Sequence, residues 1–148
     1  MNLLLFRKTV IISNLTQTEI IKKLSEIVDS EQRFFFSYPN QAKKYTGKID
    51  NKRFKIHKII KGRNSFIPFI QGEISDNVST RKIEFTMRLH FIVILFLLWV
   101  SGLVLYYFIK NNDYGGFLFL GLIFGMTIFF FNQECNDATA DLKDIFTD

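Results

Sequence analysis

Few side chains in this sequence combine the residue types and the spacing that catalysis requires. The chain has one cysteine, Cys135, and two histidines, His57 and His90. A cysteine nucleophile needs a base within hydrogen-bond reach, and here only the fold can bring a histidine to the thiol. Because an unreactive cysteine packs as a small apolar side chain, the sequence favours a structural Cys135. An enzyme that uses Cys135 or His90 is the alternative.

Acid–base pairs and metal ligands are not evident either. Asp137, Asp141 and Asp144 follow one another at helical spacing, which is typical of a solvated or salt-bridged helix face. The single cysteine and the two histidines lack the spacing of a metal site. We therefore expect no catalytic residue, no metal and no cofactor. One cysteine also excludes a disulfide-stapled scaffold, and an apolar share of 48% excludes a disordered chain.

Basic residues offer a second kind of chemistry, the binding of anions. The turn at residues 62–65 has exposed backbone N–H groups that can hold a phosphate or a lipid headgroup, although it lacks the length and lysine position of a P-loop. An ordinary β-turn with its arginine in solvent is the alternative. Further basic residues precede an apolar stretch, where anionic lipid attracts Lys and Arg. The predicted anion or headgroup contacts are Arg63, Asn64, Arg81, Lys82, Arg88 and His90.

Two uncharged apolar stretches determine the broad class. Residues 91–109 and 114–131 contain 19 and 18 residues without a formal charge, and at about 1.5 Å per residue each is near the hydrocarbon thickness of a bilayer. Residues 110–113 form a short polar link, which makes the two helices antiparallel. The sequence therefore predicts a transmembrane hairpin with both chain ends on one side.

The charge distribution predicts which side that is. Residues 1–90 hold 17 Lys and Arg against 8 Asp and Glu, whereas residues 132–148 hold one Lys against five acids. Because the hairpin link contains a single lysine, the positive-inside rule places both termini in the cytoplasm. The four apolar residues before the first charges are too short, and in the wrong order, for a signal peptide. We expect a multi-pass protein of a bacterial inner membrane.

The sequence before the hairpin predicts a β-rich domain with a flanking helix. Thr16 and Glu19 have capping-box spacing, and apolar residues then recur at helical spacing up to Val28. Alternating or apolar runs between turn residues predict an antiparallel meander. The expected strands are 8–13, 45–49, 53–60, 66–75 and 80–90. The last strand continues into the first span without a linker, which holds the domain against the membrane.

The tail contributes a last element to the same domain. Ala138, Leu142 and Phe146 are four residues apart, which predicts a short amphipathic helix at 132–148 that covers the sheet. The fold class is therefore an α+β membrane protein with a cytoplasmic antiparallel β-rich domain, flanking helices and a two-helix transmembrane hairpin. Its parts are residues 1–90, 91–131 and 132–148.

Residues 53–90 also carry a resemblance. The stretch FKIHKIIKGRNSFIPFIQGEI, then TRKIEFTMRLH and an apolar span, resembles an uncharacterised group of small bacterial two-helix membrane proteins. The likeness covers residues 45–131, and it implies no activity. The order of strands and helices is also distantly similar to small membrane proteins whose cytoplasmic part looks like a pleckstrin-homology fold. That similarity implies a scaffold rather than a catalyst.

Small residues in the spans predict close helix packing. The GxxxG spacing of Gly121 and Gly125 lets two helix backbones approach. The packing serves either the hairpin itself or a contact between subunits, and the sequence leaves both open. The residues concerned are Ser101, Gly102, Gly116, Gly121 and Gly125.

The function predicted from these observations is binding. We expect a membrane-anchored scaffold or accessory subunit that docks a partner protein or anionic lipid at the cytoplasmic membrane face, with a second copy as another partner. Nucleic acid is not expected, because the aromatic residues are not interleaved with a basic face. The alternatives are a membrane-bound enzyme acting on lipid, and an oligomeric pore or complex-forming subunit.

Overall fold

A computed structural model describes residues 5–29, 43–59, 64–76, 81–111 and 114–147. In these ranges the chain forms six strands and three helices, which confirms the α+β class. The elements are β1 (Phe6–Ser13), α1 (Gln17–Ile27), β2 (Val28–Asp29), β3 (Tyr45–Ile49), β4 (Arg53–Lys58), β5 (Phe69–Asp76), β6 (Arg81–Arg88), α2 (Phe91–Asn111) and α3 (Gly115–Thr147).

Helix α1 begins where its capping residues predict. The backbone N–H of Glu19 donates to Thr16 Oγ1 at 3.3 Å, and Glu19 Oε2 accepts from the backbone N–H of Thr16 at 2.7 Å. This reciprocal pair satisfies two N–H groups that the first helical turn leaves without partners. The pKa of Glu19 lies below its usual value, because its carboxylate accepts hydrogen bonds from the backbone N–H of Thr16 and from the Thr16 hydroxyl at 2.8 Å.

The strands form one sheet in the order β1-β6-β5-β4-β3-β2. Five of them pair antiparallel, as the meander predicts, and β1 joins its edge by pairing with β6. The expectation of a wholly antiparallel sheet is wrong at the other edge, where β2 pairs parallel with β3. The chain leaves α1 directly into this two-residue strand: Val28 ends the helix, with its backbone N–H donating to the carbonyl of Leu24, and also pairs with Tyr45 of β3.

One face of the sheet is covered, and the core lies there. Ile83, Phe85 and Met87 of β6 point into it and are at most 1% exposed, as the alternation of this strand predicts. Ile20 and Leu24 of α1 pack over the same face. The opposite face carries the exposed side chains of the strands and has no helix over it in the described residues.

Helix α3 both pairs with α2 and covers the sheet. The expectation of a short separate helix at 132–148 is wrong, because the second apolar stretch and the tail form one helix of 33 residues. Its buried residues recur every three or four positions, so they form a single stripe along the helix. They are Thr127, Phe131, Cys135, Ala138, Leu142 and Phe146. The last five belong to the core of the sheet domain.

The apolar parts of α2 and α3 have the length and composition of membrane spans. In the most apolar stretch of each helix only 6% and 11% of the residues are buried. The core helix of a soluble protein passes the same test of length and composition but is mostly buried, and here the large apolar side chains are exposed. The two helices are candidate spans. Helix α2 leaves the sheet domain directly after β6, and α3 returns to the core of that domain from Phe131 onward.

Candidate functional site

The uncovered face of the sheet, called the open face below, presents side chains in rows that the strand register defines. Phe6, Arg88 and Phe69 are neighbours across β1, β6 and β5. His57 of β4 extends the row, because its ring lies 5.3 Å from that of Phe69. These four residues form the first row. Only Leu89 and His90 separate Arg88 from α2, so the first row is the one nearest the hairpin.

The first row combines apolar rings with positive charge. Phe6 and Phe69 are 49% and 40% exposed, which is unusual for phenylalanine on a water-facing sheet. Arg88 is exposed between them. Partial dehydration of the His57 ring, with the nearby His90 as a smaller cause, lowers the pKa of His57. Exposed aromatic rings beside an arginine are the composition that a membrane–water boundary favours.

His90 joins the row to the hairpin. Its ring lies 5.2 Å from that of Phe69, and its Nδ1 accepts from the backbone N–H of Ile92 at 3.2 Å. The carbonyl of His90 accepts the first helical hydrogen bond, from Val93. His90 therefore caps α2, and the same side chain contacts both the first turn of that helix and the sheet.

The second row lies two residues farther from the hairpin along each strand. It contains Lys8, Thr86, Gln71, Lys55 and Lys48. Glu84, Glu73 and Arg53 follow in the third row. Lys8 and Lys82 each approach a carboxylate oxygen of Glu84 at 2.6 Å, and these hydrogen bonds lower the pKa of Glu84 to about 2. Glu73 pairs with Arg53 at 3.4 Å.

The structure separates the basic residues that the sequence grouped before the first span. Arg88 and His90 lie beside α2, but Arg81 and Lys82 are at the opposite end of β6. Seven residues of strand correspond to about 23 Å. Arg81 donates to the carbonyl of Leu15 at 3.2 Å, and Lys82 pairs with Glu84. Because the strand is extended, Arg81 and Lys82 do not lie together with Arg88 and His90, and headgroup binding by any of the four stays a prediction.

The predicted anion turn lies partly outside the described residues, which do not include Arg63. Asn64 is described, and its Nδ2 donates to Glu134 Oε1 of α3 at 2.7 Å. Its Oδ1 accepts from the backbone N–H of Phe66 at 3.0 Å, and the Phe66 ring stacks on Phe130 at 5.6 Å. Asn64 thus links the segment before β5 to α3 through its hydrogen bond with the Glu134 carboxylate. Anion binding at this turn stays a prediction.

The small residues of the spans divide into two groups. A Cβ added to Gly116 would lie 3.0 Å from Val104 Cγ1, so Gly116 packs α3 against α2. A Cβ added to Gly102, Gly121 or Gly125 would meet nothing within 4 Å among the described residues. These three glycines therefore do not pack closely against the described part of the chain, and a contact with another chain stays a prediction for them. Ser101 donates to the carbonyl of Leu97 within its own helix.

Cys135 lies away from both histidines. The thiol is fully buried in the core on the covered face, and dehydration raises the pKa of Cys135 to about 12. His57 lies on the open face, and His90 contacts Phe69 of that face. The sheet therefore separates the thiol from either base. No group of three or more His, Cys, Asp or Glu side chains in the described ranges could hold a metal ion.

Sequence reasoning missed most of the open face. Phe6, Phe69 and His57 come from three strands that are distant in the chain, and only the register places them beside Arg88. One signal was present in the sequence, since polar and apolar residues alternate in β4 and β5 as they do in β6. The alternation identifies which residues face outward, but not which strands are neighbours.

Comparisons with known proteins do not assign this chain to a family. No family model, no curated protein and no solved structure matches this chain. The resemblance to small two-helix membrane proteins therefore stays a prediction, and a proposal about function depends on the geometry alone.

Proposed function

We propose that this protein is a membrane-anchored binding protein whose sheet domain engages anionic lipid headgroups at the cytoplasmic face of a bacterial inner membrane. The observation that supports this proposal is the composition and position of the first row. Phe6, Phe69, Arg88 and His57 form a continuous row, and two residues separate it from a helix that is apolar enough to span a bilayer. A row at that level lies in the headgroup layer once α2 and α3 are inserted.

The rigid junction supports the same function. Sheet and hairpin are joined twice: His90 caps α2 directly after β6, and α3 runs without a break from its apolar half to the half that packs on the sheet. A domain held in this way keeps one edge against the lipid surface. It is suited to present or recognise a ligand at the membrane rather than to reach away from it.

Lipid selectivity tests the proposal. Full-length protein is reconstituted in an equal mixture of phosphatidylcholine and phosphatidylglycerol and then extracted in mild detergent. The lipids that it retains are identified and quantified by native mass spectrometry. We expect phosphatidylglycerol to be enriched, and Arg88→Gln to reduce the enrichment. Lys22→Gln, which removes one charge from α1 on the covered side, is the matched control and should leave it unchanged. Equal retention of both lipids by the wild type would contradict the proposal.

A protein partner is the second candidate function, and the open glycines favour it. Gly121 and Gly125 have the spacing for close helix contact, yet a Cβ added at either would meet nothing within 4 Å among the described residues. As an accessory subunit, the chain would pack this face against a helix of another protein or of a second copy. The same native-mass experiment detects this, since a partner would co-purify in a fixed ratio.

A further inference from the structure

The open face contains a groove above the first row. It has a volume of about 340 Å³, and Gln71 and Thr86, which are register partners on β5 and β6, both line it. Lys55 lies on one side, and Lys8 and Arg88 lie on the other. Neither Gln71 nor Thr86 has a side-chain hydrogen bond within the described residues. The groove thus offers an amide, a hydroxyl and several cations to a ligand.

The carboxylates of the groove are already neutralised. Glu84 is bound by Lys8 and Lys82 at 2.6 Å each, and Glu73 is paired with Arg53. Three other cations on this face, Lys48, Lys55 and Arg88, have no ion pair within the described residues. The charge that remains for a ligand is therefore positive.

Two of these cations oppose each other. Lys48 and Lys55 are direct register partners across β3 and β4, and both are exposed. Like charges directly opposite on neighbouring strands destabilise a sheet. Their row contains no carboxylate that relieves the repulsion, since its other members are Lys8, Thr86 and Gln71. A bound anion would relieve it.

The position of the groove identifies the source of the anion. Its Arg88 end is two residues from α2, and the second row is about 6.6 Å farther from the hairpin along the strands. A lysine side chain is long and flexible, so its ammonium group can stand well away from its Cα in an adjoining polar layer. Lys48 and Lys55 can therefore approach the level of Arg88, at the edge of the headgroup layer.

We propose that this groove binds the headgroup of an anionic phospholipid from the adjoining leaflet. Lys55 and Arg88, which line the groove, contact the phosphate oxygens, and Gln71 and Thr86 donate hydrogen bonds to the headgroup. Lys48 is not part of the lining, but it lies opposite Lys55 across β3 and β4 and reaches the same headgroup from beside the groove. The inference rests on the proposed function and makes it specific, because it assigns recognition to a defined groove rather than to general attraction at the first row. No bond is made or broken.

The test observes Lys55, which lines the groove, and its register partner Lys48; the two are called the groove lysines below. The lysines of the full-length protein are converted to ¹³C-dimethyl-lysine, which keeps their charge, and their NMR signals are assigned with Lys48→Arg and Lys55→Arg. We expect both signals to shift saturably as phosphatidylglycerol replaces phosphatidylcholine in the nanodisc. The signals of Lys22 and Lys23 on α1 should not shift. Raised salt should weaken the response, because exposed charge pairs are screened.

A matched pair of variants completes the experiment. Lys48→Gln/Lys55→Gln should lower phosphatidylglycerol retention about tenfold, the effect of losing two charge-assisted contacts, whereas Lys22→Gln/Lys23→Gln should change it less than about twofold. The groove variant should also unfold at an equal or higher temperature in phosphatidylcholine, because a like-charge pair is removed. Such an unfolding temperature would show that the groove variant retains less lipid for a reason other than unfolding.

The outcomes separate this inference from the function on which it rests. If the groove lysines do not respond while Arg88→Gln still loses enrichment, the groove assignment is wrong and the first-row function stands. If the lysines respond to inorganic phosphate in phosphatidylcholine nanodiscs but not to phosphatidylglycerol, the groove takes a soluble anion and the lipid assignment is overturned. If the wild type shows no enrichment at all, both proposals fail.

Discussion

Asn64 and Glu134, which are 70 positions apart in the chain, are joined by a hydrogen bond of 2.7 Å from the side-chain amide to the carboxylate. Through this bond the segment before β5 is held against α3, beside the stacked rings of Phe66 and Phe130. The two pairs lie where α3 changes from an apolar helix to the helix that covers the sheet. They fix the base of the sheet domain to the hairpin.

Asn64→Asp should therefore destabilise the protein. The substitution keeps the side-chain shape but replaces the donated hydrogen bond with a contact between two carboxylates, which we expect to cost about 1–2 kcal/mol. Thermal unfolding of the detergent-solubilised protein measures this, and Asn14→Asp at an exposed position is the matched control. Adding Glu134→Gln to the Asn64→Asp variant should restore most of the loss. An unchanged melting temperature would show that the bond contributes nothing.

Gly72 is a position in the sheet where a side chain does not fit. A Cβ there would lie 2.1 Å from Cζ of the buried Phe54 ring, because Phe54 and Gly72 are register partners. We expect Gly72→Ala to lower the free energy of unfolding by about 2–3 kcal/mol. Phe54→Leu in the same chain should recover part of this by making space for the methyl group. If the two substitutions were simply additive, the contact would not be the cause.

The span glycines make a second matched pair. Gly116→Val places a branched side chain against Val104, where the added Cβ already lies 3.0 Å from a methyl group, so the hairpin should lose about 1–2 kcal/mol. A Cβ added at Gly121 meets nothing within 4 Å among the described residues, so Gly121→Val should change the stability by less than about 0.5 kcal/mol. Native size is measured alongside. A smaller complex with Gly121→Val and an unaltered melting temperature would support the subunit contact.

Cys135 should behave as an unreactive core residue. With the pKa of Cys135 raised to about 12 by burial, little thiolate exists near neutral pH, and the side chain is inaccessible. We expect maleimide labelling of the folded protein to be at least about a hundredfold slower than labelling in denaturant. Cys135→Ala should keep its fold and its lipid enrichment. Rapid labelling of the folded protein would instead support the alternative of a lipid-modifying enzyme.

His57 should make stability depend on pH in the weakly acidic range. Its pKa is lower in the folded protein than the ordinary value of 6.5, so between the two values the unfolded chain binds more protons and stability rises with pH. The protein should lose stability as the pH falls through 6.5 toward the folded-state pKa. His57→Gln should flatten this part of the profile of melting temperature against pH. A profile that the substitution leaves unchanged would assign the dependence to other groups.

The local elements were the most predictable part of the fold. The capping box placed the start of α1 at Thr16, and the alternation along β6 named its buried residues. Both signals lie within a few residues of sequence, where propensity and periodicity act directly. The end of the second span was not predictable in this way, because the polar residues after Phe131 do not interrupt helical hydrogen bonding. The helix continues to Thr147.

The candidate site was only partly predictable. Arg88 and His90 were identified from their place before the first apolar stretch, and the structure keeps them together beside α2. Arg81 and Lys82 were grouped with them because closeness in sequence was taken as closeness in space, which an extended strand does not give. Phe6, Phe69, Lys48 and Lys55 were missed, since each joins the open face through pairing with a distant strand.

The sequence by itself determined the α+β class, the two apolar helices, the capping of α1 and the outward or inward direction of each side chain in β6. These features depend on composition and on periodicities of 2 and 3.6 residues, which short stretches of chain already contain. Only the tertiary structure decided the order of the strands, the register that brings Lys48 opposite Lys55 and Phe6 beside Arg88, and the separation of Cys135 from both histidines. These depend on which segments meet over long distances in the chain, and that is decided by how the whole molecule buries its apolar surface.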